Sequence, residues 1–275
     1  MMLMRNLNLL MCGVLMLVFS SAVFAQKLYA EDGDKGRQIA QAVYDRPTGK
    51  TMIALTTMVL EGTGKSRTRQ FYAYSTDNGG GEKASLIRFT LPADVADTGL
   101  LTQSHASGED DQWIYLPALK RIRRIAADRK GGRFVDSDIY YEDLQDRKVN
   151  KDSHKFLRQE KLEGALCDVI ESIPVDPKNS SYSKRVVWVH PQTLIPIRVD
   201  FYRDNADAPI KTLNVKKIEK IDGFWTVMET VIKDYKANHT TRIKSENIIY
   251  DKQIPNELFS DSFLQDPSRE KTYRP

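Results

Sequence analysis

The sequence predicts a mainly β fold with minor α content: one highly curved, unclosed antiparallel sheet of about ten or eleven strands, lidded by a long N-terminal helix and short helices. Three observations predict it. Strand-like segments recur at short intervals from residue 51 to residue 250. The segments joining them are short and rich in turn residues, whereas a parallel crossover needs roughly a dozen residues. Only one stretch, near the start, carries a helical period. A sheet this large must curl into a barrel or split into layers, and a helix with short turns is enough to close an open half-barrel.

In chain order, the first segment is a leader. Arg5 is the only charge among the first 25 residues, an apolar run extends from Leu9 to Phe19, and Ser20-Ser21 breaks it before Val23-Phe24-Ala25. This is the layout of a secretory signal cleaved after Ala25. The run is too short for a bilayer anchor, which needs about 20 apolar residues. A lipoprotein signal built on Cys12 fails because Met11 is bulky and the apolar core follows the cysteine. Residues 26–275 then form a single domain outside the cytoplasmic membrane, in a bacterial periplasm.

The helix follows. Asp34 is placed to cap it, Ile39, Ala40, Val43 and Tyr44 form one apolar stripe, and Pro47 and Gly49 end it. Strands fit residues 51–61, 67–76 and 84–91, separated by Gly62-Thr63-Gly64 and Asn78-Gly79-Gly80-Gly81. Pro92 to Ala96 fits a short helical turn. Further strands fit 99–106, 111–117 and 119–126, and residues 137–146 read as a loop with a short helical turn. The remaining strands fit 154–162, 165–173, 182–190, 195–204, 210–221, 224–236 and 239–250, with Asp222-Gly223 a strong hairpin signal.

Composition narrows the function. There are 41 Lys+Arg against 37 Asp+Glu; without Arg5 the balance is 40 to 37, near neutral, which argues against a nucleic-acid partner. Cys167 is the one cysteine beyond the leader, so no disulfide staples the domain, and it reads as a small buried hydrophobe. His105, His154, His190 and His239 have no ligand spacing. The chain has no His-Glu-x-x-His and no Gly-x-Ser-x-Gly, and Gly64-Lys65-Ser66 lacks the first glycine of a phosphate loop, Val59 standing there. Neither enzyme, metal site nor cofactor is expected.

Three longer motifs remain. They are Asp110-Asp111-Gln112-Trp113-Ile114-Tyr115-Leu116-Pro117-Ala118-Leu119-Lys120-Arg121-Ile122-Arg123-Arg124-Ile125, then Asp136-Ser137-Asp138-Ile139-Tyr140-Tyr141-Glu142-Asp143-Leu144, and Ser181 to Val189 followed by Leu194-Ile195-Pro196. With these the chain resembles the outer membrane lipoprotein-sorting protein family, a LolA-like group of bacterial periplasmic proteins. The resemblance runs from the helix at Lys35–Tyr44 to Leu258-Phe259. It implies the LolA/LolB fold, an unclosed barrel around a hydrophobic cavity, and a carrier of lipid or lipoprotein; a monomer is expected. It also implies an inner-membrane exporter of the resistance-nodulation-division (RND) type as partner. No motif here matches LolA's own functional positions, so no binding residue is carried over.

The carrier reading has physical content. An acyl chain gains roughly 0.8 kcal/mol per buried CH₂, so a carrier needs a dry but loosely packed sleeve. Met52, Ala54, Thr56 and Met58 share one strand face, and methionine suits an irregular wall. Met52, Ala54, Met58, Phe71, Phe89, Trp113, Tyr115, Trp188, Phe201 and Trp225 are the cavity candidates, each weighed against ordinary core packing. Lys120, Arg121, Arg123 and Arg124 are candidates for docking an acidic partner or lipid phosphates, arginine through its bidentate fork; pairing with the acids from Asp136 to Asp146, or a solvated face, is the competing account. A second functional reading is a sensing module that binds a lipid or lipoprotein and reports it to a membrane partner without ferrying it.

Overall fold

The computed structural model describes residues 34–204 and 206–274; the expected leader, residues 1–25 with cleavage after Ala25, lies outside them. Helix α1 covers residues 34–44 and presents the expected stripe, with Ala40 buried and Ile39, Val43 and Tyr44 half-buried. Asp34 is already helical, its carboxylate accepting from Gln38 Nε2 at 2.8 Å rather than capping the first turn. The chain leaves the helix through Gly49, whose φ of +74° and contact with the Tyr250 ring, 2.8 Å from any added Cβ, both demand glycine.

Thirteen strands follow, one for each of the thirteen segments read as strands and more than the ten or eleven expected to make up the sheet: β1 (Thr51–Glu61), β2 (Arg67–Asp77), β3 (Lys83–Leu91), β4 (Gly99–Ser104), β5 (Asp111–Leu116), β6 (Arg121–Arg124), β7 (Asp152–Leu162), β8 (Ala165–Pro174), β9 (Lys184–Val189), β10 (Pro196–Tyr202), β11 (Lys211–Ile221), β12 (Phe224–Asp234) and β13 (His239–Tyr250). All belong to one antiparallel sheet in the order β6-β5-β4-β3-β2-β1-β13-β12-β11-β10-β9-β8-β7, open at β6 and β7. Asp222 and Gly223, both with positive φ, make the two-residue hairpin between Ile221 and Phe224. Bulges interrupt the ladders near Leu55, Leu157, Ile197 and Lys216. Each bends its strand and adds twist, which supplies the curl.

Register separates two faces. On one, Ile53, Tyr74, Leu86, Leu101 and Tyr115 pack under the C-terminal segment through Leu258, Phe259, Phe263 and Leu264. The last two belong to helix α2 (Asp261–Gln265). Arg88, fully buried, pins that segment by donating to the carbonyls of Phe263 and Leu264 at 2.9 and 2.8 Å, and to that of Asp97 at 2.7 Å. On the other face, Met58, Leu60, Phe71, Phe89, Leu100 and Ile114 pack around Phe134 and Ile139. The segment 125–151 that carries Phe134 touches this face from β5 across to β9, so this is the inside of the curl. Its tip turns through Val135 and Asp136, both left-handed with φ of 48° and 55°. That backbone is costly for a β-branched residue. Part of the hollow is therefore filled by the chain's own plug.

Candidate cavity beneath helix α1

Another part, beneath helix α1, stays open. On the inner face of β8 to β11, Ile170 pairs with Val187, Val187 with Val199, and Val199 with Leu213, one apolar row across four strands. One pleat further along the same face, the row reads His154, Ser172, Arg185, Phe201 and Lys211. Helix α1 spans these rows with Ala40, Val43 and Tyr44, leaving a cavity of about 410 Å³ whose wall is completed by residues 142–149 of the plug. That size falls within the range of pockets that bury a small ligand.

The polar groups around this cavity are largely spent on one another. Lys211, only 1% exposed, donates to Asp143 at 2.5 Å, to the Asp138 carbonyl at 3.1 Å and to the Tyr182 hydroxyl. Burial lowers the Lys211 pKa, although Asp143 pulls it upward. Burial likewise raises Tyr182, with Asp143 adding to the effect. Arg185 pairs with Glu142, and Arg147 with Asp152 at 2.7 Å. Burial alone lowers the Arg147 pKa, but the bonds to Asp152 outweigh it and raise it. Tyr44 donates to Asp146 at 2.7 Å and accepts from Lys148 at 3.0 Å, latching α1 to the plug. Burial raises the Asp146 carboxyl, yet those partners win and hold it below its usual range. His154 contacts Ser172 Oγ at 2.9 Å through Nδ1 and the Val149 carbonyl at 2.8 Å through Nε2. A carbonyl only accepts, so the His154 Nε2–H donates to Val149. What the cavity offers a ligand is therefore chiefly hydrocarbon surface.

A family model described as "Uncharacterized protein" matches residues 81–266. A domain from Vibrio parahaemolyticus, named for outer membrane lipoprotein sorting, is 33% identical with a TM-score of 0.80, over 85% of this chain and 100% of that one. A DUF1329 family protein from Desulfovibrio piger matches equally, at 33% identity and a TM-score of 0.80 over 85% of this chain and 99% of that one. The chain belongs to this DUF1329 family. A LolA superfamily protein from Nitrosomonas europaea, 16% identical with a TM-score of 0.63 over 86% of this chain and 98% of that one, shares the fold. No curated protein gives a significant match.

Of the ten cavity candidates read from the sequence of this DUF1329 member, Phe201 lines the cavity beneath α1. Met58, Phe71 and Phe89 lie on the inner face but are covered by the plug, with the Phe89 and Phe134 rings 5.6 Å apart. Ala54, buried, and Met52, half-buried, continue that face along β1. Trp113 and Tyr115 do share a face, but it is the outer one beneath α2. Trp188 packs with Cys167 and Val169, opposite to Val187, and Trp225 is 39% exposed at the start of β12. Among the basic candidates, Arg124 pairs with Asp111, while Lys120, Arg121 and Arg123 are exposed and make no ion pair among the described residues. The acids from Asp138 to Asp146 pair instead with Arg133, His239, Arg185, Lys211, Lys148 and Lys83. Nothing in the sequence alone sets Ile170, Val187, Val199 and Leu213 apart. Their signal is that β-branched or leucine residues stand at matching positions of four consecutive strands, which becomes readable only once the register is known.

Proposed function

We propose that this protein is a periplasmic carrier that holds one hydrophobic or amphiphilic chain, from a lipid or a lipoprotein, in the cavity beneath α1 and moves it toward the outer membrane. It does so as a monomer, as a single domain after loss of its leader, with neither cofactor nor catalysis. The observation that carries the reading is the unfilled apolar row from Ile170 to Leu213 under helix α1, whose Tyr44 is latched to Asp146 and Lys148 of the plug. Each CH₂ buried there contributes about 0.8 kcal/mol, and a lid latched by polar contacts allows the cargo to leave again. The resemblance to lipoprotein-sorting proteins supports the same role, and it favours an RND-type exporter as the membrane partner.

The test is gentle purification from the native envelope, followed by organic extraction and mass spectrometry, alongside the Val187→Phe variant. Val187→Phe fills the cavity with a side chain of matching polarity. The expected result is a lipid near one-to-one with the wild type and at least tenfold less with the variant. Clean apo-protein that also fails to bind a fluorescent fatty acid, or equal lipid in both proteins, overturns the proposal.

A further inference from the structure

The open edge of the sheet at β6 carries a surface that the cavity does not use. Arg121 and Arg123 stand two residues apart on one face of β6, so their Cα atoms are about 7 Å apart, and Lys120 precedes them. All three are exposed and without an ion pair among the described residues. Arg129, also exposed, follows in the next turn. The tip before β6 is a 3-10 turn, Pro117–Leu119, closed by a bond from the Lys120 N–H to the Pro117 carbonyl at 3.1 Å, with Lys120 in the left-handed region at φ 49°. That turn holds Leu119 outward, 48% exposed. At the end of β3, two strands away and therefore on the order of 10 Å distant, Leu91 is 55% exposed. Both leucines lie at the same end of the sheet, because β3 and β5 run in the same direction.

We propose that this end of the sheet, Leu91 and Leu119 with Lys120, Arg121 and Arg123, docks peripherally on a bilayer surface rich in anionic phospholipid. Cations on an edge strand also guard against edge-to-edge pairing. A guard, however, has no use for two outward leucines on the neighbouring turns. Two outward leucines at one end of the sheet, one of them followed directly by Lys120 and Arg121, suit an interface whose headgroups are negative and whose interior is apolar. Arginine adds bidentate bonds to phosphate. No helix among the described residues is long and apolar enough to cross a membrane, and attachment of this kind stays reversible. The proposal is independent of the cavity, since the cations and leucines sit on turns and an edge that do not line it.

The experiment is vesicle flotation of the purified protein with phosphatidylcholine alone and with phosphatidylcholine containing 30% phosphatidylglycerol, at low and high salt. It compares the wild type with Lys120→Glu/Arg121→Glu/Arg123→Glu and with Leu91→Asp/Leu119→Asp. Three cations near a strongly anionic surface are worth on the order of 100-fold in partitioning. The expected result is binding that needs phosphatidylglycerol, falls at least tenfold at high salt, is abolished by the charge reversal and is weakened at low salt by the leucine changes. All variants alter exposed side chains and should keep the wild-type circular dichroism and melting temperature. Equal binding to both vesicles, binding unchanged by the charge reversal, or no binding at low salt overturns the proposal. So does salt-dependent binding to soluble poly-glutamate in the absence of vesicle binding, which would assign the surface to an acidic protein instead.

Discussion

Gly36 of α1 lies so close to Phe156 of β7 that a Cβ on the glycine would stand 2.6 Å from the Phe156 backbone nitrogen. The helix is thus seated on the backbone of an edge strand, helped by Lys35 Nζ at 3.4 Å from the Phe156 ring centroid. It shields part of that edge as well as covering the cavity.

Gly36→Ala isolates this contact. In a helix alanine is normally better than glycine by about 1 kcal/mol, so any net loss of stability reports the clash. We expect a net loss of about 1–2 kcal/mol, as overpacking gives, together with faster release of a bound fluorescent fatty acid. Urea unfolding and stopped-flow release check the two halves. A gain in stability would mean that α1 is seated elsewhere.

Glu109 ties the plug to the rest of the chain, accepting from Lys130 Nζ at 2.9 Å, from Asn179 Nδ2 at 2.9 Å and from Lys151. Burial raises its carboxyl, but the bonds from Lys151 and Lys130 outweigh that and hold it down to about 2, against an ordinary 4.5. The folded chain therefore binds this proton less readily than the unfolded one. The resulting stability is complete above about pH 4.5 and is lost as pH falls toward 2. Because the side chain is half-exposed, solvent screening keeps the term below about 1 kcal/mol. Urea midpoints at pH 6, 4 and 3 should fall less steeply in Glu109→Gln than in the wild type; parallel slopes would remove Glu109 from the acid response.

These contacts show what sequence could and could not reveal. Alternation and turn chemistry sufficed for the strands, as at Asp222-Gly223, and the stripe Ile39, Ala40, Val43, Tyr44 sufficed for α1. Alternation also groups Trp113 with Tyr115, but it does not say which face of a curled sheet is the inside. That is decided by the C-terminal segment, which covers them through Phe263 and Leu264. The plug is less legible still. Phe134 and Ile139 sit in irregular backbone with no period, and nothing local to them marks a segment that folds back across five or more strands. Lys211 and Asp143, 68 residues apart, each look like ordinary surface charges until the register brings them together.

Phe134 lies at the centre of the plugged part of the hollow, 1% exposed and in ring contact with Phe89 and Tyr141. Phe134→Ala should cost about 3–5 kcal/mol, as a buried aromatic truncation does. It should also join new apolar space to the inside of the curl, so that probes with two acyl chains bind better relative to single-chain probes. Thermal unfolding measures the first effect and competition between the two probe classes the second. A loss of stability with an unchanged preference would confine the plug to a structural role.

Lys211 and Asp143 provide the sharpest test of how the plug is held. Removing one partner of a buried ion pair leaves a charge without compensation and typically costs about 3–5 kcal/mol, whereas replacing both by neutral groups is far cheaper. Asp143 has other duties: its Oδ2 accepts from the Tyr140 N–H at 2.7 Å and its Oδ1 from the Tyr182 hydroxyl at 2.8 Å. An asparagine retains an acceptor for one of these, and methionine retains most of the lysine's volume among the rings of Tyr140, Tyr182 and Phe201. Lys211→Met alone should therefore be strongly destabilising, and Lys211→Met/Asp143→Asn should recover more than half of the loss. The cycle, completed with Asp143→Asn and read by urea unfolding, gives the coupling directly. Additive losses would mean that the two residues act separately, and that the plug is held by Phe134 and the Glu142–Arg185 pair rather than by this one.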